Sequence, residues 1–271
     1  MYKLLALDMD GTTLNSNKKI SPKTLEGINR LLNDGVHVVV ASGRCLIEMS
    51  DYKEEFKNMR YLILNNGGLI YDTFENRPLV IHRLSLEECL KAIEFAEEEN
   101  AMIHLVTIND SIARPQDIKN MADFKMDIYR DMFERLCIKC EDLKSYAIEH
   151  QKELMKVNMY HRSIESRNRN AKKLKKIHLQ IVFTERNNLE VAPLNITKAA
   201  GLVELSNLLN IDIVDTMAVG DALNDVEMIQ AAGCGVAMGN ARDEVKEVAD
   251  FVTADNDHDG ILVAINKFFY S

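Results

Sequence analysis

No run in this 271-residue chain approaches the roughly 18 consecutive apolar residues of a membrane-spanning helix. At the N-terminus only Leu4, Leu5, Ala6 and Leu7 precede Asp8, which is too short for the ~7–15-residue apolar core of a signal peptide. Cysteine is scarce and odd in number, five residues, which fits reduced thiols in a cytoplasmic protein better than a disulfide framework. Cys137 and Cys140 form a lone CxxC, but Cys45, Cys89 and Cys234 are isolated and supply no second pair for a structural zinc site. Basic charge is outnumbered, 33 Lys and Arg against 42 Asp and Glu for a formal net charge of −9. That balance argues against a general nucleic-acid binder, because neutralising phosphates needs a basic face. The cluster Lys172, Lys173, Lys175 and Lys176 reads as a solvated helix face. Neither an internal repeat nor a low-complexity tract is present.

What is present is the composition of an ordinary globular chain, 46% hydrophobic and 28% charged, able to bury a real core. The length exceeds the usual single-domain mode of about 100–150 residues, so two modest domains are expected.

Tyr2 to Leu7 is a short apolar run that stops at carboxylates and a glycine, as a buried parallel strand does. Ser21-Pro22 then opens a helix with an N-cap and a first-turn proline; Leu25, Ile28, Leu31 and Leu32 give its stripe, and Gly35 closes it. Val36 to Ala41 is a second strand and Tyr61 to Leu64 a third, after which Asn66-Gly67-Gly68 turns the chain into a hairpin extending to Arg83. From Ser85 the pattern changes to an amphipathic helix and strands at Met102 to Ile108, Met155 to Tyr160, Leu179 to Phe183 and Leu189 to Val191. After Pro193 the alternation resumes: helix 197–210, strand 214–219, helix 224–231, strand 234–238, helix 242–249, strand 251–253 and a last helix from His258. The expected architecture is α/β, a doubly wound Rossmann-like parallel-sheet core built from both ends of the chain (1–83 and 191–271), with residues 84–190 inserted as an α/β cap.

Four polar clusters stand at strand or helix ends. Asp8-Met9-Asp10-Gly11-Thr12 crowds two carboxylates, which is costly unless a cation compensates them; as an isolated Asp-Gly motif it would read as a turn. Ser42-Gly43-Arg44 offers a hydroxyl and backbone N–H groups in phosphate-binding fashion, although alone it is a weak signal. Lys198 falls in the first turn of a helix, where the macrodipole disfavours a cation unless something anionic lies nearby. Gly220-Asp221-Ala222-Leu223-Asn224-Asp225 adds two more acids after an apolar strand, hard oxygen ligands of the kind that suit magnesium.

In this order and spacing the four clusters resemble the motifs of the haloacid dehalogenase superfamily, specifically the Cof-type sugar-phosphatase branch with its α/β cap between the second and third motifs. Met238-Gly239-Asn240-Ala241 and Asp259-Gly260 also look like this branch, whereas Thr13 stands where leucine is more frequent and Ala41 where threonine is common. The resemblance implies a Mg²⁺-dependent phosphatase acting on a small phosphorylated metabolite. It makes Asp8 the nucleophile and Asp10 the acid and base. It gives Mg²⁺ the carboxylates of Asp8 and Asp221 and the carbonyl of Asp10, with Asp225 and Thr12 bracing them from behind. The phosphoryl oxygens then fall to Ser42, Gly43, Lys198, Asn224 and the N–H of Met9.

A phosphotransferase or phosphomutase of the same fold, or a non-catalytic phosphometabolite-binding regulator, are the alternative readings. A monomer or weak dimer is expected, with no membrane or nucleic-acid partner. Arg114, His161 and Arg162 are polar cap residues left outside the predicted site. Lys198→Ala is expected to lower turnover while leaving the fold intact.

Overall fold

Short apolar runs ended by acids or glycine form the strands, and the computed structural model describes residues 2–183 and 186–271. In chain order the strands are β1 (Leu4–Leu7), β2 (His37–Ala41), β3 (Tyr61–Leu64), β4 (Leu69–Asp72), β5 (Arg77–Ile81), β6 (Met102–Thr107), β7 (Ser111–Ala113), β8 (Ile138–Lys139), β9 (Leu154–Tyr160), β10 (Gln180–Val182), β11 (Asn188–Ala192), β12 (Thr216–Gly220), β13 (Cys234–Ala237) and β14 (Phe251–Val252). The chain divides into two units, one of Met1–Gly43, Tyr52–Val80 and Thr197–Ser271, the other of Arg44–Asp51 and Ile81–Ile196.

In the first unit the sheet runs β14-β13-β12-β1-β2-β3-β4-β5. Neighbours from β14 through β3 are parallel, and β3–β4 is an antiparallel hairpin, so the sheet is mixed. From β1 the chain winds outward through β2 and β3; from β12 it winds the opposite way through β13 and β14. Doubly wound sheets bind ligands at such a reversal, outside the carboxyl ends of the strands. Leu7 stands opposite both Val219 and Val40, so the strand ends are aligned and Asp8, Ser42 and Asp221 emerge along one edge.

Both β1 and β12 are buried throughout, which is why they read as unbroken apolar runs and not as alternations. Leu4, Ala6, Val39 and Ile63 pack on Leu202, Leu205 and Met228 of the helices Lys198–Leu208 and Val226–Ala231. Each large aliphatic side chain buried this way contributes about 1.5–3 kcal/mol relative to exposure. The helix Pro22–Asn33 starts as its sequence dictates: Ser21 Oγ accepts from Thr24 N at 3.1 Å and Pro22 occupies the first turn. The last helix begins at Gly260, two residues later than its pattern suggests, because Asp259 is left-handed at φ 56°. Likewise Ile213–Asp215 forms a 3₁₀ turn ahead of β12, capped by Asp212.

In the second unit the sheet order is β10-β11-β9-β6-β7-β8, antiparallel except for β7–β8. One face packs Ile103, Leu105, Val157, Met159 and Leu189 against Cys89, Ala92, Ile93 and Ala96 of the helix Leu86–Glu98. That helix opens with a capping box between Ser85 and Glu88. Strands β7 and β8, three and two residues long, are too short to show a period and have no counterpart in the sequence reading.

Arg114, His161 and Arg162 are engaged within this unit. Arg114 pairs with Glu97, and Arg162 pairs with Asp123 at 3.2 Å and stacks over Phe124. His161 is fully buried between Asn170 and the Asn187 carbonyl.

Candidate active site

The edge where β1, β2 and β12 end gathers the polar clusters of the first unit. Asp8 follows β1 directly, its N–H donating to the Val219 carbonyl of β12 at 2.9 Å. The Asp8 carbonyl accepts from the Thr13 hydroxyl at 2.5 Å and from Thr13 N at 3.3 Å, so the loop closes back on the residue that starts it. The threonine that departs from the family's leucine thus braces Asp8.

Gly11 makes this loop possible. It lies at φ +86°, and a Cβ there would stand 2.5 Å from Asp221 Oδ2, so any side chain would be both strained and in collision. Thr12 then donates its hydroxyl to Asp221 Oδ1 at 2.8 Å.

Lys198 occupies the first position of its helix, behind the N-cap Thr197. Only 1% of the residue is exposed, and its ammonium donates to Asp8 Oδ1 at 2.5 Å and Asp225 Oδ1 at 2.6 Å. The macrodipole argument thus finds its anions. This burial argues against the expectation that Lys198→Ala leaves the fold undisturbed, since removing the ammonium would strand two buried carboxylates. Asp225 is fully buried and spends Oδ2 on the N–H groups of Asp221 and Ala222, at 3.0 and 2.9 Å, fixing the loop that carries Asp221.

Carboxylate oxygens of Asp8, Asp221 and Asp225 lie within 4.8 Å of one another. Three carboxylates against one ammonium leave two negative charges in excess. Burial and then the Asp225 charge push the Asp8 carboxyl well above the usual carboxylate range, with Lys198 opposing. Burial likewise raises Asp221, against the Thr12 hydrogen bond. Burial works against the Lys198 ammonium, but Asp225 and Asp8 outweigh it and raise its pKa. Asp8 Oδ2 is buried with no hydrogen-bond partner. An uncommitted buried oxygen, hard oxygen donors and an excess of two negative charges fit a divalent cation such as Mg²⁺.

Asp10 stands outside this acidic group. Its backbone bridges to Leu14, and its carboxylate meets the Lys18 ammonium at 2.9 Å, both groups partly exposed. Met9 is fully buried, its carbonyl accepting from Leu14 N at 2.8 Å. Ser42 is buried at the end of β2, where its N–H donates to the Ile63 carbonyl and its own carbonyl accepts from Asn66 N. Asn224 Nδ2 donates to Asn66 Oδ1 at 3.0 Å, and a Cβ on Gly43 would stand 3.2 Å from that same oxygen.

Asn66 therefore links the second and fourth motifs, a role the sequence does not signal because Asn-Gly-Gly after a strand reads simply as a turn. Its neighbour Gly67, at φ +100°, brings this turn against the helix that starts at Lys198, where a Cβ would lie 2.2 Å from the Thr197 carbonyl. Asn240 in turn donates to the Gly11 carbonyl at 2.8 Å, which gives the Met238–Ala241 resemblance a structural basis.

The model of the haloacid dehalogenase-like hydrolase family matches residues 5–265. The chain is 32% identical over 272 residues to YcsE of Bacillus subtilis strain 168, named a 5-amino-6-(5-phospho-D-ribitylamino)uracil phosphatase, covering 98% of this chain and 95% of that protein. Phosphatase YwpJ of the same strain is 28% identical over 278 residues, covering 96% and 97%. Among solved structures, a haloacid dehalogenase-like hydrolase from B. subtilis superposes with TM-score 0.87 at 26% identity, covering 98% of this chain and 100% of that one. Another from Bacteroides thetaiotaomicron gives 0.86 at 26%, covering 99% and 100%.

Proposed function

The chain belongs to the haloacid dehalogenase-like hydrolases, and we propose that it is a Mg²⁺-dependent phosphatase of small phosphorylated metabolites in which Asp8 is the nucleophile. The observation that carries this reading is the buried Asp8 carboxylate, held by Lys198 through one oxygen and without a hydrogen bond at the other. Residues 84–190, within which most of the second unit falls, are proposed as the inserted cap and the remainder as the catalytic core. A cytoplasmic location is consistent with five free cysteines and with the absence, among the described residues, of any helix long and apolar enough to cross a membrane.

In this mechanism the Asp8 carboxylate attacks phosphorus. The ester P–O bond breaks, its electron pair stays on the alkoxide oxygen, and that oxygen takes the proton of the Asp10 carboxyl, giving aspartyl-phosphate and free alcohol. Water then attacks phosphorus while giving a proton to Asp10; the bond to Asp8 breaks, releasing inorganic phosphate and restoring the carboxylate. Lys198 holds Asp8 in place and offsets charge as an anionic ester approaches an anionic nucleophile. Ser42, Gly43, Asn224 and the N–H of Met9 hold the phosphoryl oxygens. Asp8, Asp221 and the Asp10 carbonyl would hold Mg²⁺, with Asp225 and Thr12 fixing Asp221, and the ion supplies charge neutralisation and polarises the phosphoryl group.

The relatives named as 5-amino-6-(5-phospho-D-ribitylamino)uracil phosphatases place that compound in the assay set, beside hexose phosphates, flavin mononucleotide and pyridoxal phosphate. With Mg²⁺ the wild type is expected to release inorganic phosphate from at least one of these. Chelation of the metal and Asp8→Asn should each abolish release. Unchanged turnover in Asp8→Asn would refute the covalent assignment, and an isomerised sugar phosphate without free phosphate would make the protein a mutase.

A further inference from the structure

We propose that Lys18 is a positioning residue for Asp10, an inference that rests on the assignment of Asp10 as the acid that protonates the leaving oxygen. Lys18 Nζ lies 2.9 Å from Asp10 Oδ1. A half-exposed lysine beside a half-exposed aspartate is ordinarily incidental, but this one is carried on a loop built to hold it.

Lys18 is left-handed, at φ 58°, a conformation that residues other than glycine seldom take. It is kept there by hydrogen bonds that close the loop on itself. Lys18 N donates to the Asn15 carbonyl and Asn15 N to the Lys19 carbonyl, each at 2.9 Å, while Asn15 Oδ1 accepts from Asn17 N and Lys19 N at 2.9 and 3.1 Å. The loop is also tied from outside. Asp257 accepts from Ser16 N at 2.9 Å and from the Ser16 hydroxyl at 2.6 Å, and Asn256 Nδ2 donates to the Leu14 carbonyl at 2.9 Å.

A surface ion pair contributes little to folding, so a loop that keeps a strained backbone to present one ammonium is poorly explained by stability. Unfavourable backbone conformations that the surroundings enforce concentrate at functional sites. Here the enforced residue touches the carboxylate that must line up with a departing oxygen, and alignment is a large part of what general acid catalysis supplies.

An effect on the Asp10 carboxyl has a signature that loss of folding or of phosphate binding lacks. Protonation matters most for an alkyl phosphate, whose alkoxide is a poor leaving group, and little for p-nitrophenyl phosphate, whose phenolate departs without help. For Lys18→Ala, kcat/KM on the best alkyl phosphate should fall by about tenfold, a fraction of the roughly 10²–10⁴-fold that general acid catalysis contributes. On p-nitrophenyl phosphate the change should stay within about twofold, and Lys18→Arg should recover most of the alkyl activity.

Equal losses on both esters, or none on either, would overturn the proposal, as would failure of arginine to rescue. The parent assignment is tested separately: Asp10→Asn must lose far more kcat/KM on the alkyl phosphate than on p-nitrophenyl phosphate. If it does while Lys18→Ala affects both alike, the role of Lys18 fails and the assignment of Asp10 stands.

Discussion

At the scale of single residues the site is a problem in charge. Lys198 has two buried anionic partners, and removing one member of such a group costs more than the net worth of the ion pair, because the remaining charges stay buried. Lys198→Ala should therefore lose turnover by orders of magnitude and also destabilise the fold by about 3–5 kcal/mol. Adding Asp225→Asn should return part of that stability without restoring activity, since it removes a carboxylate stranded by the first change. Denaturant midpoints and turnover of both single variants and the double variant check this; additive stability losses would mean that the two side chains are not coupled. The acids were legible in the sequence because they crowd at strand ends, and the lysine because it stands at a helix start where its charge is unfavourable. Thr13, Asn66 and Lys18 were not, because they act through hydrogen bonds and ion pairs to residues that the sequence alone does not place beside them.

Elements were legible to the extent that burial imposes a pattern. Strands β1, β2, β3 and β12, buried on both faces, stand out as apolar runs; β7, β8 and the 3₁₀ turns are fixed by pairing and caps and leave no period to read. The face of β6, β9 and β11 that carries His104, Asn158 and Glu190 shows another limit, because buried polar residues interrupt the apolar signal. His104 accepts from Asn158 Nδ2 at 3.0 Å and meets the Ser111 hydroxyl at 2.6 Å. That pairing corresponds to a neutral ring protonated at Nε2.

Burial lowers the pKa of His104 to about 3. An unfolded chain takes up this proton below about pH 6.5, so the contribution is fully retained above that pH and is lost as the pH falls toward 3, with a slope of up to about 1.4 kcal/mol per pH unit. Urea midpoints measured from pH 7 to 4 should show this slope in the wild type and a shallower one in His104→Gln. Identical slopes would mean that His104 does not couple to folding.

Over the whole molecule the net charge is −9, and at one edge of one sheet three carboxylates outnumber one ammonium, so an anionic substrate would be admitted there only with the proposed cation offsetting that excess. The winding of the chain builds that edge: β1 and β12 lie side by side although more than 200 residues separate them, and their ends bring Asp8 and Asp221 together. Family membership and the α/β class were readable from four spaced motifs; the partners held by the second unit were not, since only the folded chain shows that Arg114, His161 and Arg162 are already engaged.

The most direct test of Asp8 as nucleophile is the mass of the intact protein after acid quench during turnover of its best phosphate ester. The wild type should carry one added phosphoryl group that maps to the peptide containing Asp8, and Asp8→Asn should carry none. Steady turnover with no phosphorylated protein at any quench time, or a phosphoryl group on another residue, would contradict the account.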